Sequence, residues 1–168
     1  LASTHGVFVG TGGEAISSWT PFIGADSAVV IDANGKQATV SALIGANELY
    51  NVCKFRVKGK TQAAPIAKVT AKKGEKVWIL QYSVTRPQID QRAIQNIEPF
   101  MSKYAYYMFT TNMPENAEGC PFVNSKGEVI GLMQNNKTGD QVYSTDANFV
   151  NDMTISNGMA ITNQVLKQ

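Results

Sequence analysis

The chain has 168 residues, 43% of them hydrophobic, and a formal net charge of +2 at pH 7. A chain of this length buries roughly 70% of the surface that it exposes when unfolded, which allows a sizeable core without disulfides or metals. The length indicates one domain with room for two lobes. The small net charge argues against a nucleic-acid or membrane-surface partner. Because no apolar run reaches the roughly 18 residues that a spanning helix needs, we expect no membrane span.

Two cysteines and one histidine limit the metal and redox chemistry. Cys53 and Cys120 lie far apart, outside any C-x-x-C motif, and His5 is the single histidine. A zinc site needs about four ligands, mostly nitrogen or sulfur, so we expect neither a metal nor another cofactor. The cysteines can form one disulfide or remain as two buried thiols, and the thiols are the simpler expectation.

The start of the chain indicates processing. Leu1 is not preceded by an initiator Met, and no basic stretch followed by an apolar segment is present. We therefore expect Leu1 to follow a removed or trimmed segment. This favours an exported protein, periplasmic or extracellular.

Turns and alternating strands dominate the first part of the chain. Two apolar stretches flank the glycine-rich turn GTGG at 10–13, which predicts a hairpin. Asn34 and Gly35 form a second predicted turn, since both tolerate positive φ. In 53–57, Cys, Phe and Val alternate with Lys and Arg, as in a strand with one wet face. The polar stretch 59–65 ends in proline and is predicted to be a connector.

The remainder is predicted to form further short strands. The stretch 86–101 fits a strand, a loop or a helical turn, and its pattern does not decide between them. About ten short strands separated by turns predict an all-β domain, either a barrel or a sandwich. The further strands are expected at 66–71, 76–83, 103–111, 121–124, 128–134 and 141–144.

A short helix is predicted after the last strand. Thr145 or Asp146 can cap its N-terminus, and the turn residues at 157–158 are predicted to end it. Its apolar face consists of Phe149, Val150 and Met153.

The segment NAEGCPFVNSKGEVIGL at 116–132 carries the most specific pattern in the chain. It resembles the nucleophile loop of trypsin-like serine peptidases, above all the bacterial high-temperature-requirement type. In that family G-[ND]-S-G-G-P is followed by two apolar residues, a turn with glycine, and V-I-G. The run GEVIGL at 127–132 fits best. The matching positions are Gly119, Pro121, Phe122, Val123, Gly127, Val129, Ile130 and Gly131.

The resemblance extends more loosely over nearly the whole chain. Residues 5–37 are similar to the family's opening hairpin, histidine loop and following strands, and 50–57 to its D-L-A-V-L-K-I strand. Residues 74–83 look like a strand of its second barrel, and 142–153 like its final strand and helix. The implied fold is all-β, with two six-stranded antiparallel β-barrels, a cleft between them and a C-terminal helical segment. The implied limits are 1–58 for the first barrel, 59–65 for the connector, 66–145 for the second barrel and 146–168 for the helical tail.

The family's catalytic triad maps onto three residues that cannot perform its chemistry. Counting back from Pro121, the nucleophilic serine falls on Glu118. Aligning 50–57 places the orienting aspartate on Asn51, and the general-base histidine falls on Thr20. The mechanism needs a hydroxyl or thiol nucleophile, an imidazole base and a carboxylate that orients the imidazole. Thr20 does not titrate near neutral pH, Asn51 is uncharged, and attack by Glu118 would give a reactive anhydride.

The oxyanion hole of the family is also altered. Two backbone N–H groups form it, those of the nucleophile and of the glycine two residues earlier. Those positions are Glu118 and Asn116 here, so the vestigial oxyanion loop consists of Asn116, Glu118, Gly119 and Cys120. Asparagine tolerates positive φ better than most residues, although less well than glycine. We expect the Glu118 side chain to fill the cleft or to fold onto the two donors.

Displaced residues offer two alternative active sites. Cys120 could be a thiol nucleophile, as in viral cysteine peptidases of this fold, but those have cysteine at the serine position. Its only candidate base, His5, belongs to the first strand, so a packed cysteine and a surface histidine are the simpler interpretation. Glu115 and Glu118 resemble the acid pair of a glycoside hydrolase, which needs a set separation across a cleft. Two glutamates on one loop are usually just solvated.

The resemblance therefore implies a catalytically inactive trypsin-like domain rather than an enzyme. Its expected role is to bind a protein or an extended peptide in the inter-barrel cleft, by strand addition, or to act as a scaffold. Because bacterial domains of this kind often precede interaction domains, a covalently linked C-terminal interaction domain is also expected. The alternative is an active hydrolase that uses Cys120 and His5.

Overall fold

The computed structural model of the chain describes residues 2–82, 87–101, 103–110, 113–138 and 141–153. The predicted helix end at 157–158 and the rest of the tail from 154 onward lie outside the described residues.

The N-terminal part of the chain forms a five-stranded antiparallel sheet. Its strands are β1 (Gly6–Phe8), β2 (Glu14–Ser18), β3 (Val29–Ile31), β4 (Gln37–Asn47) and β5 (Val52–Val57), and a 3₁₀-helix, Thr20–Phe22, follows β2. The spatial order is β1-β2-β5-β4-β3. This order makes β1 and β3 the two edge strands.

A seven-stranded antiparallel sheet follows. Its strands are β6 (Lys76–Gln81), β7 (Gln88–Ala93), β8 (Asn96–Phe100), β9 (Tyr104–Thr110), β10 (Pro121–Val123), β11 (Val129–Thr138) and β12 (Gln141–Asp146). The spatial order is β7-β6-β10-β11-β12-β9-β8. The predicted limits of the barrels and the connector stay predictions.

Side-chain hydrogen bonds shape the turn between β3 and β4. Asp32 Oδ1 accepts from the backbone N–H groups of Asn34 (2.9 Å) and Lys36 (2.9 Å). Gly35 adopts a φ of 79°, a conformation that costs glycine little. The predicted turn is therefore present, but it spans five residues rather than the dipeptide alone.

Three apolar clusters stabilise the fold. One lies within the first sheet and includes Phe22 and Phe55, and another lies within the second sheet and includes Ile79 and Phe122. The third cluster joins the two sheets and the short helix α1 (Ala147–Asn151). Its buried members are Ile16, Val52, Phe100, Val123, Val129, Leu132, Ala147, Phe149, Val150 and Met153.

The all-β prediction is confirmed, and the undecided stretch 86–101 contributes β7 and β8. Among the described residues the strands divide five and seven between the sheets, rather than six and six. The predicted strand at 66–71 is wrong, because only Ile66 forms a bridge, to Val129. Ala67 and Ala71 are buried and the residues between them are exposed, so burial there lacks the two-residue period of a strand.

The predicted C-terminal helix begins after Asp146, whose Oδ1 accepts from the N–H of Asn148 (2.9 Å). Phe149, Val150 and Met153 are buried, as their spacing predicted. In the part of the chain that the structure describes, no helix is both long and apolar enough to cross a bilayer. Export of the protein stays a prediction.

Candidate functional site

The structure brings the three predicted triad positions together in one hydrogen-bond chain. Thr20 begins the 3₁₀-helix after β2, Asn51 ends the turn between β4 and β5, and Glu118 precedes β10. The Thr20 hydroxyl donates to Asn51 Oδ1 (2.7 Å), and Asn51 Nδ2 donates to Glu118 Oε1 (3.1 Å). This chain of hydrogen bonds therefore runs from the first sheet into a loop of the second.

Asn51 lies at the centre of this network. Its Oδ1 also accepts from the backbone N–H of Thr20 (2.8 Å), and its carbonyl accepts from the N–H of Trp19 (3.1 Å) and from Gln134 Nε2 (3.4 Å). A backbone N–H only donates and a carboxylate only accepts. The amide orientation is therefore fixed by its partners, with Oδ1 toward Thr20 and Nδ2 toward Glu118.

The vestigial oxyanion loop contains two residues with positive φ. Asn116 has a φ of 58° and Gly119 a φ of 81°, so the asparagine at position 116 reaches the left-handed region that glycine enters most easily. Among the described residues, the N–H groups of Asn116 and Glu118 make no hydrogen bond. The Glu118 carboxylate lies toward Asn51 rather than on these two donors.

The N-terminal segment supports this loop. The His5 N–H (3.2 Å) and the Thr4 hydroxyl (3.0 Å) both donate to the Glu118 carbonyl. Burial lowers the pKa of His5 more than the backbone of Asn116 raises it. His5 thus positions the loop through its backbone N–H.

Two glutamines that the sequence analysis did not single out complete the support. Gln81, at the end of β6, donates through Nε2 to the carbonyls of Glu115 (2.9 Å) and Asn116 (3.2 Å). Gln134, in β11, is 4% exposed and reaches the carbonyl of Asn51. Both are ordinary strand residues in the sequence, so no local signal identifies them.

A cavity of about 360 Å³ lies beside the loop. Apolar side chains of Met113, Ala117, Met133 and Val142 contribute to its wall, and residues 3–5 contribute on the N-terminal side. Ligand pockets typically measure about 300–1,000 Å³. This cavity is therefore large enough to hold a group the size of one side chain.

The alternative nucleophile is poorly placed for catalysis. Cys120 is 0% exposed within the core of the second sheet, and burial raises the pKa of its thiol to about 12. Attack requires the thiolate, which such a pKa excludes at neutral pH. No hydrogen bond joins Cys120 to His5 among the described residues. Cys53 is also a free buried thiol, with a pKa raised to about 12 by burial.

No metal centre is visible in the described part of the chain, where no three or more His, Cys, Asp or Glu side chains are grouped so as to hold an ion. Thr20, Asn51 and Glu118 offer a hydroxyl, an amide and one carboxylate.

Comparison with solved structures supports this architecture, whereas the comparisons of the sequence found no match. No protein-family model matches the sequence, and no curated protein matches it either. The structure is similar to the crystal structure of the serine endoprotease from Yersinia pestis, with a TM-score of 0.70 over 87% of this chain. The fold is that of the trypsin-like serine peptidases. This chain covers 54% of the Yersinia chain, at 16% sequence identity, so the likeness concerns the fold alone.

The trypsin-like fold that the segment 116–132 indicated is thus confirmed. The equivalence of Thr20, Asn51 and Glu118 with the triad of the trypsin-like peptidases stays a prediction. The three residues come from distant parts of the sequence and meet in one hydrogen-bond chain, whose centre is Asn51, at the aspartate position. In the triad of the family the histidine is central, so the three positions meet but their order of contact differs.

Proposed function

We propose that this chain is a catalytically silent trypsin-like domain that binds a protein or an extended peptide in the cleft between its two barrels. One observation carries the proposal: Thr20, Asn51 and Glu118 meet at the predicted catalytic position, and none of them has the chemistry of the residue it replaces.

The chemistry of these three groups supports silence. Acyl transfer needs a nucleophile and a base that takes its proton. The Thr20 hydroxyl donates to an uncharged amide oxygen, which is too weak a base to remove its proton. Glu118 is already an acceptor for Asn51, and its acyl product would be a reactive anhydride. Loss of even one triad member removes most of the catalytic rate.

An open strand edge supports binding by strand addition. β10 pairs with β11 only along Val129 to Leu132. From Asn136 to Thr138, the described partner of β11 is β12 alone. The other edge of this part of β11 can offer its N–H and C=O groups to an extended peptide.

Activity measurements test the silence of the domain. We expect no activity-dependent labelling by a fluorophosphonate or iodoacetamide probe, and no cleavage of casein. The variant T20H/N51D/E118S restores the family's residues and should gain fluorophosphonate labelling, because the trypsin-like fold is present and the positive φ of Asn116 and Gly119 suits the family's loop geometry. If the unaltered chain cleaves casein and C120A abolishes the cleavage, the displaced-residue hydrolase is correct instead.

Partner capture tests the binding role. The full-length protein is used as bait, and hydrogen exchange of the chain is then compared with and without the captured partner. Slower exchange is expected at 134–138 of β11 and in the turn at 48–51. Protection confined to the distant edge strand β3 would contradict binding in the cleft.

A further inference from the structure

The hydrogen-bond chain at the former catalytic position also connects the two halves of the molecule. Thr20 and Asn51 belong to the first sheet, whereas Glu118 lies 67 residues beyond Asn51, on the loop before β10. Gln134 adds a second crossing through the carbonyl of Asn51 (3.4 Å). We propose that Thr20, Asn51 and Glu118 form a clasp that fastens the first sheet to the loop at 113–120.

The proposal goes beyond the proposed function, because it assigns these residues a role in stability whether or not the cleft binds a peptide. The apolar cluster between the sheets supplies most of the burial, but apolar contacts are non-directional. A hydrogen bond to a carboxylate has a preferred geometry and is stronger than a neutral one. The clasp therefore fixes where the loop sits relative to the first sheet.

The backbone of the loop is already held on its far side. His5 N–H and the Thr4 hydroxyl occupy the Glu118 carbonyl. The peptide unit of Glu118 is thus anchored to the N-terminal segment while its side chain reaches Asn51. Since both ends of this residue are held, the side-chain bond restrains the loop at a small cost in entropy.

The clasp requires an amide at position 51. Oδ1 of Asn51 accepts two hydrogen bonds from Thr20, and only Nδ2 can donate to the Glu118 carboxylate. An aspartate would keep both acceptors but place a second carboxylate against the first. Like charges at hydrogen-bond distance repel, and the two facing carboxylate oxygens would have no donor between them. The residues at 51 and 118 are therefore coupled, and the family's aspartate becomes acceptable only when Glu118 changes as well.

A double-mutant cycle with a reversed pair tests the clasp. The variants are N51D, E118Q and N51D/E118Q, and their unfolding is followed in urea. N51D should lower the folding equilibrium constant about ten-fold or more, because it replaces a donor by a negative charge. N51D/E118Q should return to within about three-fold of the unaltered chain, since the amide introduced at position 118 can donate to the new carboxylate at position 51.

The control is N47D, at the end of β4 beside the same turn. Among the described residues the Asn47 side chain hydrogen-bonds through Oδ1 alone, which accepts from the N–H of Tyr50 (3.0 Å), so an aspartate preserves its bond. We expect N47D to stay within about three-fold of the unaltered chain. An equal loss for N47D and N51D would show a general effect of added charge on the turn and would overturn the clasp.

Two further outcomes decide the proposal. If N51D does not fold, N51D/E118Q must still fold, and its failure to do so refutes the coupling. Additive effects of N51D and E118Q would refute it as well.

The result is separable from the proposed function, because a stable, coupled clasp in a chain that cleaves casein would reject catalytic silence alone. Loss of coupling in a chain that remains inactive would reject the clasp alone.

Discussion

Asn51 combines a backbone and a side-chain requirement in one residue. Its φ of 54° lies in the left-handed region, which asparagine and aspartate enter more easily than most residues. Its side chain accepts from Thr20 and donates to Glu118. The backbone alone would allow aspartate, so the need for a donor is what favours the amide.

Gly119 lies next to this network and has a different constraint. Its φ of 81° is one that glycine adopts easily. A Cβ atom at this position would also meet the carbonyl of His5 and the side chain of Thr4. Any side chain here must therefore push the N-terminal segment off the loop.

Gly35 and Gly119 have nearly the same φ, so a comparison of the two isolates the effect of the contact between position 119 and the N-terminal segment. Gly35 has a φ of 79°, and a Cβ atom added to it would have nothing within 4 Å. We expect Gly35→Ala to cost about 1 kcal/mol, the ordinary penalty of a left-handed alanine. Gly119→Ala should cost about 2–4 kcal/mol, because it also breaks the bonds of His5 and Thr4 to Glu118.

Urea unfolding of the two variants measures the difference. Equal losses for both variants would mean that the N-terminal segment can move aside freely, contrary to the packing described.

At the scale of the elements, Asp146 links strand β12 to the helix α1 and to the neighbouring strand β9. Its Oδ1 caps α1 at the N–H of Asn148, and its Oδ2 accepts from the N–H of Ala105 in β9 (3.0 Å). Thr145 remains in the ladder, opposite Leu132 of β11. Burial raises the pKa of Asp146 more than its hydrogen bonds lower it.

Removing this carboxylate should destabilise the helix and its attachment together. Asp146→Ala is expected to lower the free energy of unfolding by about 1–3 kcal/mol, because the cap is lost and a buried N–H loses its acceptor. Chemical denaturation with an unchanged m-value would show it. Asp26→Ala, at an exposed loop position, is the control and should change stability by less than about 0.5 kcal/mol. A similar small change for Asp146→Ala would contradict the capping role.

In the molecule as a whole, the cluster between the sheets holds the two halves together. Ile16 and Val52 come from the first sheet, Leu132 from the second and Phe149 from α1. Leu132 is 0% exposed. Leu132 belongs to a cluster with members from both halves, so its loss should affect the joint rather than one sheet.

A pair of leucines tests the importance of this joint. Leu132→Ala is expected to cost about 2–5 kcal/mol, the range for a buried leucine that leaves a cavity. Leu49→Ala should change stability by less than about 0.5 kcal/mol, since Leu49 is 79% exposed. Calorimetry would compare both variants with the unaltered chain. Separate melting of the two halves in Leu132→Ala would identify the cluster as the joint, and a loss below about 1 kcal/mol would contradict its role.

Local signals in the sequence were enough to identify several elements. The turns at 10–13 and 32–36, the alternation in β5 and the apolar face of α1 depend on residues a few positions apart, and all of them were predictable. The motif at 116–132 indicated the trypsin-like fold because its glycine and proline positions reflect one loop geometry. The prediction of a strand at 66–71 was wrong. Ala67 and Ala71 are buried but Val69 between them is exposed, so burial does not follow the two-residue period of a strand.

Contacts between distant parts of the chain became visible only in the folded protein. The bonds from Asn51 to Glu118 and from Thr4 to Glu118 join residues separated by 67 and 114 positions. The support from Gln81 and Gln134 likewise has no signature in the neighbouring sequence. Such bonds depend on how two sheets pack against each other, because a hydrogen bond forms only within about 3 Å and at a suitable angle. Periodicity and turn chemistry do not encode that distance. The resemblance of the sequence placed Thr20, Asn51 and Glu118 at one site, and only the folded chain shows which of their atoms form hydrogen bonds.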